Sequence, residues 1–261
     1  MNLVFKSFIF LLFISLLSIF PIHAIWWNNS FEYKIPIIIS TSNLTTDNNF
    51  QLNLHLNSSN LGSNYNWSRN CEDLRVVYNN SLVDFFIDSC SSTNQNASVW
   101  IKSPINLTTS SSIFEIYYGN ETVTNISNPE NTFDFYDDFS GNLSKWNRHK
   151  NSANININSG FVELSGGITS GDYGHTVLGT NATYSNFRDG IIEGRVYLSV
   201  DAIAEISSRG NFDLNTGYKS RIDARNNQGI SRLKPPYTSG SWNFLPSCSA
   251  TGTTISNNVW H

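Results

Sequence analysis

One short segment alternates apolar and polar residues without a break. From Phe50 to Leu56 the chain reads FQLNLHL, so every second side chain is apolar. Successive side chains of a β-strand point to opposite faces of the sheet, so this period predicts a strand with one buried face. No 3.6-residue periodicity persists after the N-terminal segment, which limits helix to isolated turns. The chain is therefore expected to be all-β.

Other runs fit the same class. Strands are predicted for Tyr33 to Ile39, Ser98 to Lys102, Ile113 to Tyr118 and Ile192 to Val200, and Pro36 favours a sheet edge for the first of them. Turn residues recur between these short runs, as β-sandwiches require. The 237 residues after Ala24 exceed one ordinary domain of roughly 100 to 200 residues. Two consecutive antiparallel β-sandwiches of the jelly-roll type are expected.

The N-terminus has the layout of a secretory signal. Lys6 is the only charged residue before an apolar run from Phe8 to Phe20, which is followed by Pro21 and the small residue Ala24. A membrane-spanning helix needs roughly 20 apolar residues, and this run is shorter. Residues 1–24 are therefore expected to be a cleaved signal peptide, and the protein to be extracellular or at the cell surface. The alternative is an uncleaved N-terminal anchor, because Ile22 is large for a cleavage position that prefers small residues.

Charge is sparse throughout the chain. Charged residues make up 14% of the sequence and the net charge is -4, whereas typical soluble domains contain roughly 25% charged residues. The basic residues are scattered, which argues against a nucleic-acid partner. A membrane partner is expected only through an uncleaved N-terminal segment or an anchor beyond His261.

A β-hairpin is predicted between residues 74 and 87. The apolar runs LRVVY and LVDFFI are separated by Asn79-Asn80-Ser81, which is a turn signal. If Tyr78 lies opposite Ser81, Cys71 falls opposite Asp88, and a turn longer by two residues places it opposite Cys90.

The two cysteines that flank this hairpin are therefore within reach of each other. Disulfides form in oxidising compartments, so Cys71 and Cys90 are expected to pair. The alternative is two unrelated buried thiols. Cys248 is left over, which suggests a partner beyond the C-terminus or a buried free thiol.

Five segments of the first half occur in a characteristic order: WWNNSFEYKIPIII, EDLRVV, VDFFID, VWIKSPI and IFEIYYGNETVT. In order and spacing they resemble the domain of unknown function DUF2341, found in archaeal and bacterial surface proteins. The resemblance covers about residues 26–130 and implies a first domain over residues 25–130. Gly119 is expected in a turn conformation that residues with a Cβ avoid, and Asn120 to bond its local backbone. Four strand positions are interpreted as core: Trp100, Phe114, Ile116 and Tyr118.

The second half carries a more diffuse set of segments: FDFYDDF, SKW, FVELSGG, GIIEGRVYLSV, ISSRGN, GYKSRIDARN, ISRLK and NNVWH. They resemble laminin G-like or concanavalin A-like jelly rolls. In these folds a Trp-His or Trp-Tyr pair commonly opens a late strand, whereas here the chain stops at Trp260-His261. Residues 131–261 are therefore expected to be an incomplete jelly roll, and the chain a fragment.

No set of residues that performs a reaction is visible. Retaining hydrolysis needs two carboxylates about 5 Å apart, but Glu163, Glu193 and Glu205 each lack an acidic partner two residues away. The chain has no G-x-S-x-G elbow, zinc motif, P-loop or dinucleotide fingerprint. His55 occupies a polar strand position and is interpreted as a surface residue. No catalytic residue and no organic cofactor are predicted.

An acidic cluster near the start of the second half, Asp134, Asp137 and Asp138, has two interpretations. Calcium binds several carboxylate and carbonyl oxygens, so the cluster could be a calcium site. The other interpretation is an acidic loop in which Asp137 or Asp138 accepts hydrogen bonds from nearby backbone amides. We favour the loop, because no Gly-rich ligand segment accompanies the three acids.

Asn-x-Ser/Thr sequons are frequent, and in an exported chain they are candidate N-glycosylation sites. Nine of the eleven precede residue 130, which predicts denser glycosylation of the first domain. The acceptor residues are Asn28, Asn43, Asn57, Asn66, Asn79, Asn96, Asn106, Asn120, Asn125, Asn142 and Asn181.

These features favour a non-catalytic secreted or cell-surface protein that binds a glycan or another surface protein. Tyr237, Trp242 and Phe244 lie among turn residues in PPYTSGSWNF, where flat rings could stack on sugars; the alternative is packing of a rim loop. A second hypothesis is a polysaccharide-active enzyme whose catalytic carboxylates lie partly beyond His261, opposite Glu193 or Glu205.

Overall fold

A computed structural model describes residues 26–42, 45–46, 48–149, 154–158, 160–165, 177–181, 192–197, 203–211, 216–223 and 228–234. The chain divides into two compact units, Met1–Tyr136 and Asp137–His261. In the described parts, antiparallel strands dominate, and helix is limited to two four-residue segments and one 3-10 turn. The all-β class predicted from the sequence is confirmed. None of the described helices is long and apolar enough to cross a membrane.

The first unit is built from two antiparallel sheets. The first sheet has the strand order β1-β7-β3-β4 and the second has the order β2-β6-β5. The strands are β1 (Tyr33–Ile39), β2 (Gln51–Asn57), β3 (Arg75–Tyr78), β4 (Ser81–Leu82), β5 (Phe85–Ser91), β6 (Asn96–Lys102) and β7 (Ser112–Tyr118). Helix α1 (Ser58–Leu61) and a 3-10 turn (Trp67–Arg69) follow β2, and helix α2 (Pro129–Thr132) follows β7.

One apolar core joins the two sheets into a sandwich. Strand β6 contributes Ala97, Val99 and Ile101, which alternate with partly exposed residues as the period of a strand requires. Strand β7 contributes Phe114 and Ile116, which are 0% and 1% exposed. Because residues of both sheets belong to the same buried cluster, their inner faces pack on each other. Strand β1, which contains Pro36, lies at a sheet edge as predicted.

A second, smaller apolar cluster lies on the outer face of the first sheet. Val77 and Tyr117 are fully buried there, although both point away from the main core. Trp26, Trp27 and Phe31 cover them, and the rings of both tryptophans contact the Tyr117 ring at 5.5 and 5.7 Å between centroids. The residues that precede β1 therefore seal this face of the sheet.

The predicted hairpin forms only at its turn. Asn79 and Asn80 have φ angles of 46° and 62°, which suits a tight turn between paired strands, and Tyr78 lies opposite Ser81 as expected. The ladder then stops after one more residue pair, because β5 belongs to the second sheet. The predicted long hairpin is wrong, since the chain changes sheets between Val83 and Asp84.

Cys71 and Cys90 nevertheless form a disulfide, with their Cα atoms 6.1 Å apart. The bond joins the turn that precedes β3 to strand β5 in the other sheet. Cys71 is fully buried in the core. The bond therefore links the two layers of the sandwich and does not close a hairpin.

Two residues after β7 have the backbone roles that the sequence predicts. Gly119 has a φ of 84°, and a Cβ at this position would come within 2.6 Å of Tyr33 Cδ2. Only glycine fits here without moving the Tyr33 ring. Asn120 accepts hydrogen bonds from the Thr122 amide at 3.0 Å and the Thr122 hydroxyl at 2.7 Å.

The described parts of the second unit consist of antiparallel strand pairs. Strand β8 (Trp146–His149) pairs with β11 (Val177–Thr180), and β9 (Asn154–Asn158) pairs with β10 (Phe161–Ser165). Strands β12 (Ile203–Asn211), β13 (Thr216–Asp223) and β14 (Gln228–Lys234) form a three-stranded sheet.

A strand was predicted from Ile192 to Val200, and the structure describes residues 192–197 of it. For these residues the prediction is wrong. These residues contain only an isolated bridge at Tyr197. Ile192 and Tyr197 are both 46% exposed, so the segment has no buried face, and Gly194 adds no side chain that could pack.

Candidate functional site

The outer face of the second sheet brings aromatic and polar side chains together. On β6, Ser98, Trp100 and Lys102 alternate with the buried core residues and therefore point to this outer face. The prediction that Trp100 is a core residue is wrong: it is only partly buried, whereas Phe114, Ile116 and Tyr118 are buried as predicted. Trp100 lies between Phe86 on β5 and Asn53 on β2 in the cross-strand register.

Four partly buried rings form what we call the aromatic platform: Phe86, Trp100, Phe133 and Tyr136. Phe133 contacts Trp100 at 5.5 Å and Phe86 at 5.8 Å between ring centroids, in edge-to-face geometry. Tyr136 stacks on Phe133 at 6.2 Å with an interplanar angle of 17° and contacts Phe86 at 5.5 Å. Such arrangements are favourable for aromatic pairs, so the rings hold one another in place.

Hydrogen bonds to the backbone of β5 position the segment that carries Phe133 and Tyr136. The Asn128 amide donates to the Phe85 carbonyl at 2.9 Å, and the Ile87 amide donates to Ser127 Oγ at 2.8 Å. Asn128 also caps α2 by accepting from the Asn131 amide at 3.1 Å. Residues 127–136 are thereby fixed over one end of the second sheet.

Polar side chains continue the same face away from the platform. Asn53 Nδ2 donates to Ser98 Oγ at 3.0 Å, and His55 lies opposite Ser98 in the register and is exposed. Asn57 and Asn96, which form the last residue pair between β2 and β6, are both exposed. These side chains offer amide, hydroxyl and imidazole groups. We call the five residues the polar rows: Asn53, His55, Asn57, Asn96 and Ser98.

Formal charge is limited at the platform. Lys102 Nζ donates to the Asn131 carbonyl at 3.3 Å and lies 3.8 Å from an Asp134 oxygen. This long contact is with a carboxylate that is 58% exposed, so the pair contributes little to stability. With the Lys102 charge balanced by Asp134, the face suits a neutral ligand better than an anionic one.

The three acids considered as a calcium site do not converge. Asp137 accepts from the Phe139 amide at 2.8 Å and from Trp146 Nε1 at 2.6 Å. Asp138 accepts from the Ser140 amide, which lowers the pKa of Asp138, while Asp134 faces Lys102. Among the described residues, no three acidic, histidine or cysteine side chains lie close enough to hold a metal ion. Asp137 and Asp138 thus accept the backbone-amide hydrogen bonds that the acidic-loop interpretation expects.

Buried charges elsewhere in the first unit hold a backbone segment. Asp73 is 3% exposed, and its Oδ2 accepts from the Gly119 amide at 2.7 Å. Arg69 donates to the carbonyls of Asn120 and Val123, both at 2.9 Å. Arg75, which is 4% exposed, donates to the Thr124 carbonyl at 2.7 Å. We call Arg69, Asp73 and Arg75 the carbonyl clamp, because together they fix residues 119–124.

Two groups at this clamp, Tyr65 and Arg75, have shifted pKa values. Burial and then the negative charge of Asp73 raise the pKa of Tyr65, so its hydroxyl stays neutral. The Tyr65 hydroxyl and Asp73 Oδ1 are buried without a hydrogen-bond partner, even though the two side chains interact electrostatically. Burial lowers the pKa of Arg75. The hydrogen bonds of the clamp to the backbone of residues 119–124 give it a structural role.

Lys34 forms a second polar contact, on the outer face of the first sheet. Its Nζ lies 2.7 Å from Glu115 Oε1 and 5.5 Å from the centre of the Trp26 ring. The hydrogen bond to Glu115 raises the pKa of Lys34, so the amine stays charged. A charged amine is not a nucleophile, and this pair therefore has the character of a structural ion pair.

The candidate glycosylation sites differ in accessibility. Asn120 is 6% exposed, and its Nδ2 donates to Ser30 Oγ at 2.9 Å. Asn181 is partly buried and its Nδ2 donates to the Ser144 carbonyl at 2.8 Å. Asn43 lies outside the described residues. Eight acceptors are exposed, namely Asn28, Asn57, Asn66, Asn79, Asn96, Asn106, Asn125 and Asn142.

Several residues singled out in the sequence lie outside the described part of the chain. They are Tyr237, Trp242 and Phe244, together with Cys248. His55 is exposed, in agreement with its interpretation as a surface residue. Sequence reasoning missed the platform, although the alternation of Ser98, Trp100 and Lys102 against Ala97, Val99 and Ile101 was a signal for an outward-facing tryptophan.

The fold and this site define a β-sandwich protein with an aromatic and polar sheet face. Residues 70–149 match the family described as Domain of unknown function (DUF2341). The match begins just after Arg69 of the carbonyl clamp and ends with β8. The resemblance predicted from the sequence covered residues 26–130. Neither the curated proteins nor the solved structures gave a match to the chain.

Proposed function

We propose that this protein is a secreted or cell-surface binding protein without catalytic activity, and that it binds a neutral glycan on the outer face of the second sheet. The observation that carries the proposal is the continuity of the aromatic platform with the polar rows. Partly exposed Trp100 borders the hydrogen-bonded pair Asn53 and Ser98 on adjacent strands.

The chemistry of a sugar ring suits this combination. One side of a pyranose ring presents C–H groups, which can lie against the face of an aromatic ring, while its hydroxyls need donors and acceptors nearby. Trp100 supplies the ring, and the amide of Asn53 and the hydroxyl of Ser98 supply both donors and acceptors. Such sites typically combine an apolar surface with a few placed polar groups.

Secretion and the nature of the second unit are part of the same proposal. The N-terminal signal layout, the disulfide between Cys71 and Cys90 and the many exposed sequons support an extracellular location. For residues 137–261 we propose a laminin G-like or concanavalin A-like jelly roll, which the antiparallel pairs β8–β11 and β9–β10 support. Tyr237, Trp242 and Phe244, which lie outside the described residues, are proposed as a separate sugar-binding contact of that domain.

Binding to an array of neutral and acidic glycans tests the proposal. The full chain is expected to bind neutral glycans, and Trp100→Ala is expected to weaken binding at least tenfold, or by about 1.4 kcal/mol. Asn53→Ala tests the polar rows without removing a ring. The matched control is Ile113→Ala, since Ile113 is 56% exposed on the outer face of the other sheet. This variant should bind as the parent does.

Three outcomes contradict the proposal. One is the absence of binding to any glycan, together with binding to an isolated surface protein. Another is equal weakening by Trp100→Ala and Ile113→Ala, which would mean that the platform is not the contact. The last is release of reducing sugar from a polysaccharide, which would favour an enzyme.

A further inference from the structure

Eight of the eleven sequon asparagines are exposed, seven of them in the first unit and Asn142 in the second. The eight exposed acceptors lie at turns, loops and strand ends, as Asn79 does in the β3–β4 turn and Asn106 does after β6. Asn96 begins β6, directly opposite Asn57. In every case the side chain is exposed in the folded state, so a modifying enzyme can reach it.

Asn120 has the same sequon but the opposite environment. Its Nδ2 donates to Ser30 Oγ, its Oδ1 accepts from Thr122, and its carbonyl accepts from Arg69 of the carbonyl clamp. It is also 6% exposed. A glycan on Nδ2 would displace Ser30 and open the segment that the clamp fixes.

We infer that the protein carries N-linked glycans on its exposed sequon asparagines and that Asn120 is excluded from this modification by its burial. The inference rests on the proposed export of the chain. The donor is an oligosaccharide linked to a membrane polyprenyl phosphate or pyrophosphate. Asparagine Nδ2 forms a bond to the anomeric carbon of the sugar and loses one proton. The bond from that carbon to the phosphate oxygen breaks, and its electron pair leaves with the lipid phosphate.

The two exposed acceptors that belong to the polar rows, Asn57 and Asn96, lie away from Trp100 of the aromatic platform. Along β6, Asn96 is four residues from Trp100, or roughly 13 Å at the rise of a strand. Glycans on Asn57 and Asn96 would therefore stand at the far end of the polar rows. They would occupy that end of the proposed binding face, away from Trp100.

Mass spectrometry of peptides from the protein purified from its native cells and culture medium tests the inference. Peptides that contain exposed acceptors are expected to be heavier by the mass of attached sugars, and the peptide that contains Asn120 is expected at its unmodified mass. Two matched variants extend the test. Asn106→Gln should lose the mass of one glycan, whereas Asn120→Gln should retain the full glycan mass of the parent.

Each result has a defined meaning. Exported protein without sugar on any of the eight exposed acceptors overturns this inference and leaves the proposed function standing. Protein found only inside the cell and unmodified overturns the proposed location as well. Sugar on the Asn120 peptide of the folded parent overturns the exclusion. Because that peptide is read in the parent, the result does not depend on whether Asn120→Gln folds.

Discussion

At the scale of single residues, the Asp73 carboxylate is the negative charge of the carbonyl clamp. Replacing it with alanine leaves the Gly119 amide without its acceptor and removes the negative charge that interacts with Arg75. Removing one partner of a buried charged group typically costs about 3 to 5 kcal/mol. We expect Asp73→Ala to lower the free energy of unfolding by about 3 kcal/mol, measured by urea denaturation.

The matched control for this variant is Asp88→Ala, because Asp88 is an exposed aspartate of the same unit. Its cost should stay within about 0.5 kcal/mol, as for ordinary surface substitutions. Asp73→Asn should lie between the two, since the amide retains an acceptor oxygen for Gly119 but loses the charge. Equal urea midpoints for Asp73→Ala and Asp88→Ala would refute the role assigned to the carboxylate.

Residue types with strong local preferences were predictable from the sequence. Gly119 and Asn120 have the turn and backbone-bonding roles expected of them, because those roles depend on neighbours in the chain. The role of Trp100 depends on which face of its strand meets the other sheet. A tryptophan in an apolar run suggested a core position, but its neighbours Val99 and Ile101 fill the core.

At the scale of elements, the sequence predicted the strands β2, β6 and β7 from the pattern of their residues. It also predicted the edge position of β1 from the placement of Pro36. The change of sheets after β4 could not be predicted in this way. The Val83 amide donates to the Val76 carbonyl in the first sheet, whereas the Asp84 carbonyl accepts from Lys102 in the second. Consecutive residues thus pair in different layers. The run LVDFFI looks like one strand because both halves are apolar, and no local signal marks the crossing.

The platform was hidden for a similar reason. Phe86 and Trp100 come from strands, but Phe133 and Tyr136 come from a segment that reaches them only after β7 and α2. Sequence spacing cannot show that these rings meet. Two hydrogen bonds to β5 bring them together. One joins the Asn128 amide to the Phe85 carbonyl, backbone groups that every sequence contains, and the other joins the Ile87 amide to the Ser127 hydroxyl, a common side-chain group.

The disulfide between the turn before β3 and strand β5 makes an element-scale prediction. Its cysteines are separated by 19 positions, and closing such a loop is worth about 3 kcal/mol in chain-entropy terms. Replacing both cysteines with alanine is expected to lower the free energy of unfolding by about that amount. Urea denaturation of the oxidised parent and of the double variant measures it.

Reduced parent protein separates the crosslink from packing, since it retains both sulfur atoms in the core. Reduction should account for most of the loss, and the double variant should lose somewhat more because Cys71 is fully buried. If the oxidised and reduced parent unfold at the same urea concentration, the link between the layers does not stabilise the unit.

At the scale of the whole molecule, the matched family segment and the compact first unit do not coincide. Residues 70–149 include β3 to β7 and continue into β8 of the second unit. They omit β1 and β2, which pair with β7 and β6 along seven residues each. Ile35 and Ile37 of β1 and Leu56 of β2 pack in the core, so the matched segment lacks part of the sandwich that it belongs to.

Two fragments test which of these boundaries defines the folding unit. A fragment of residues 26–136 is expected to unfold cooperatively in urea, because it contains both sheets, their common core and the cover of Trp26 and Trp27. A fragment of residues 70–149 is expected to lack a cooperative transition. In this fragment one edge of β7 would be unpaired, and core side chains that are buried in the whole unit would be exposed to water. Both fragments contain the disulfide and the aromatic platform, so neither feature can explain a difference. A cooperative transition of fragment 70–149 at the midpoint of fragment 26–136 would contradict the structural role assigned to the two edge strands.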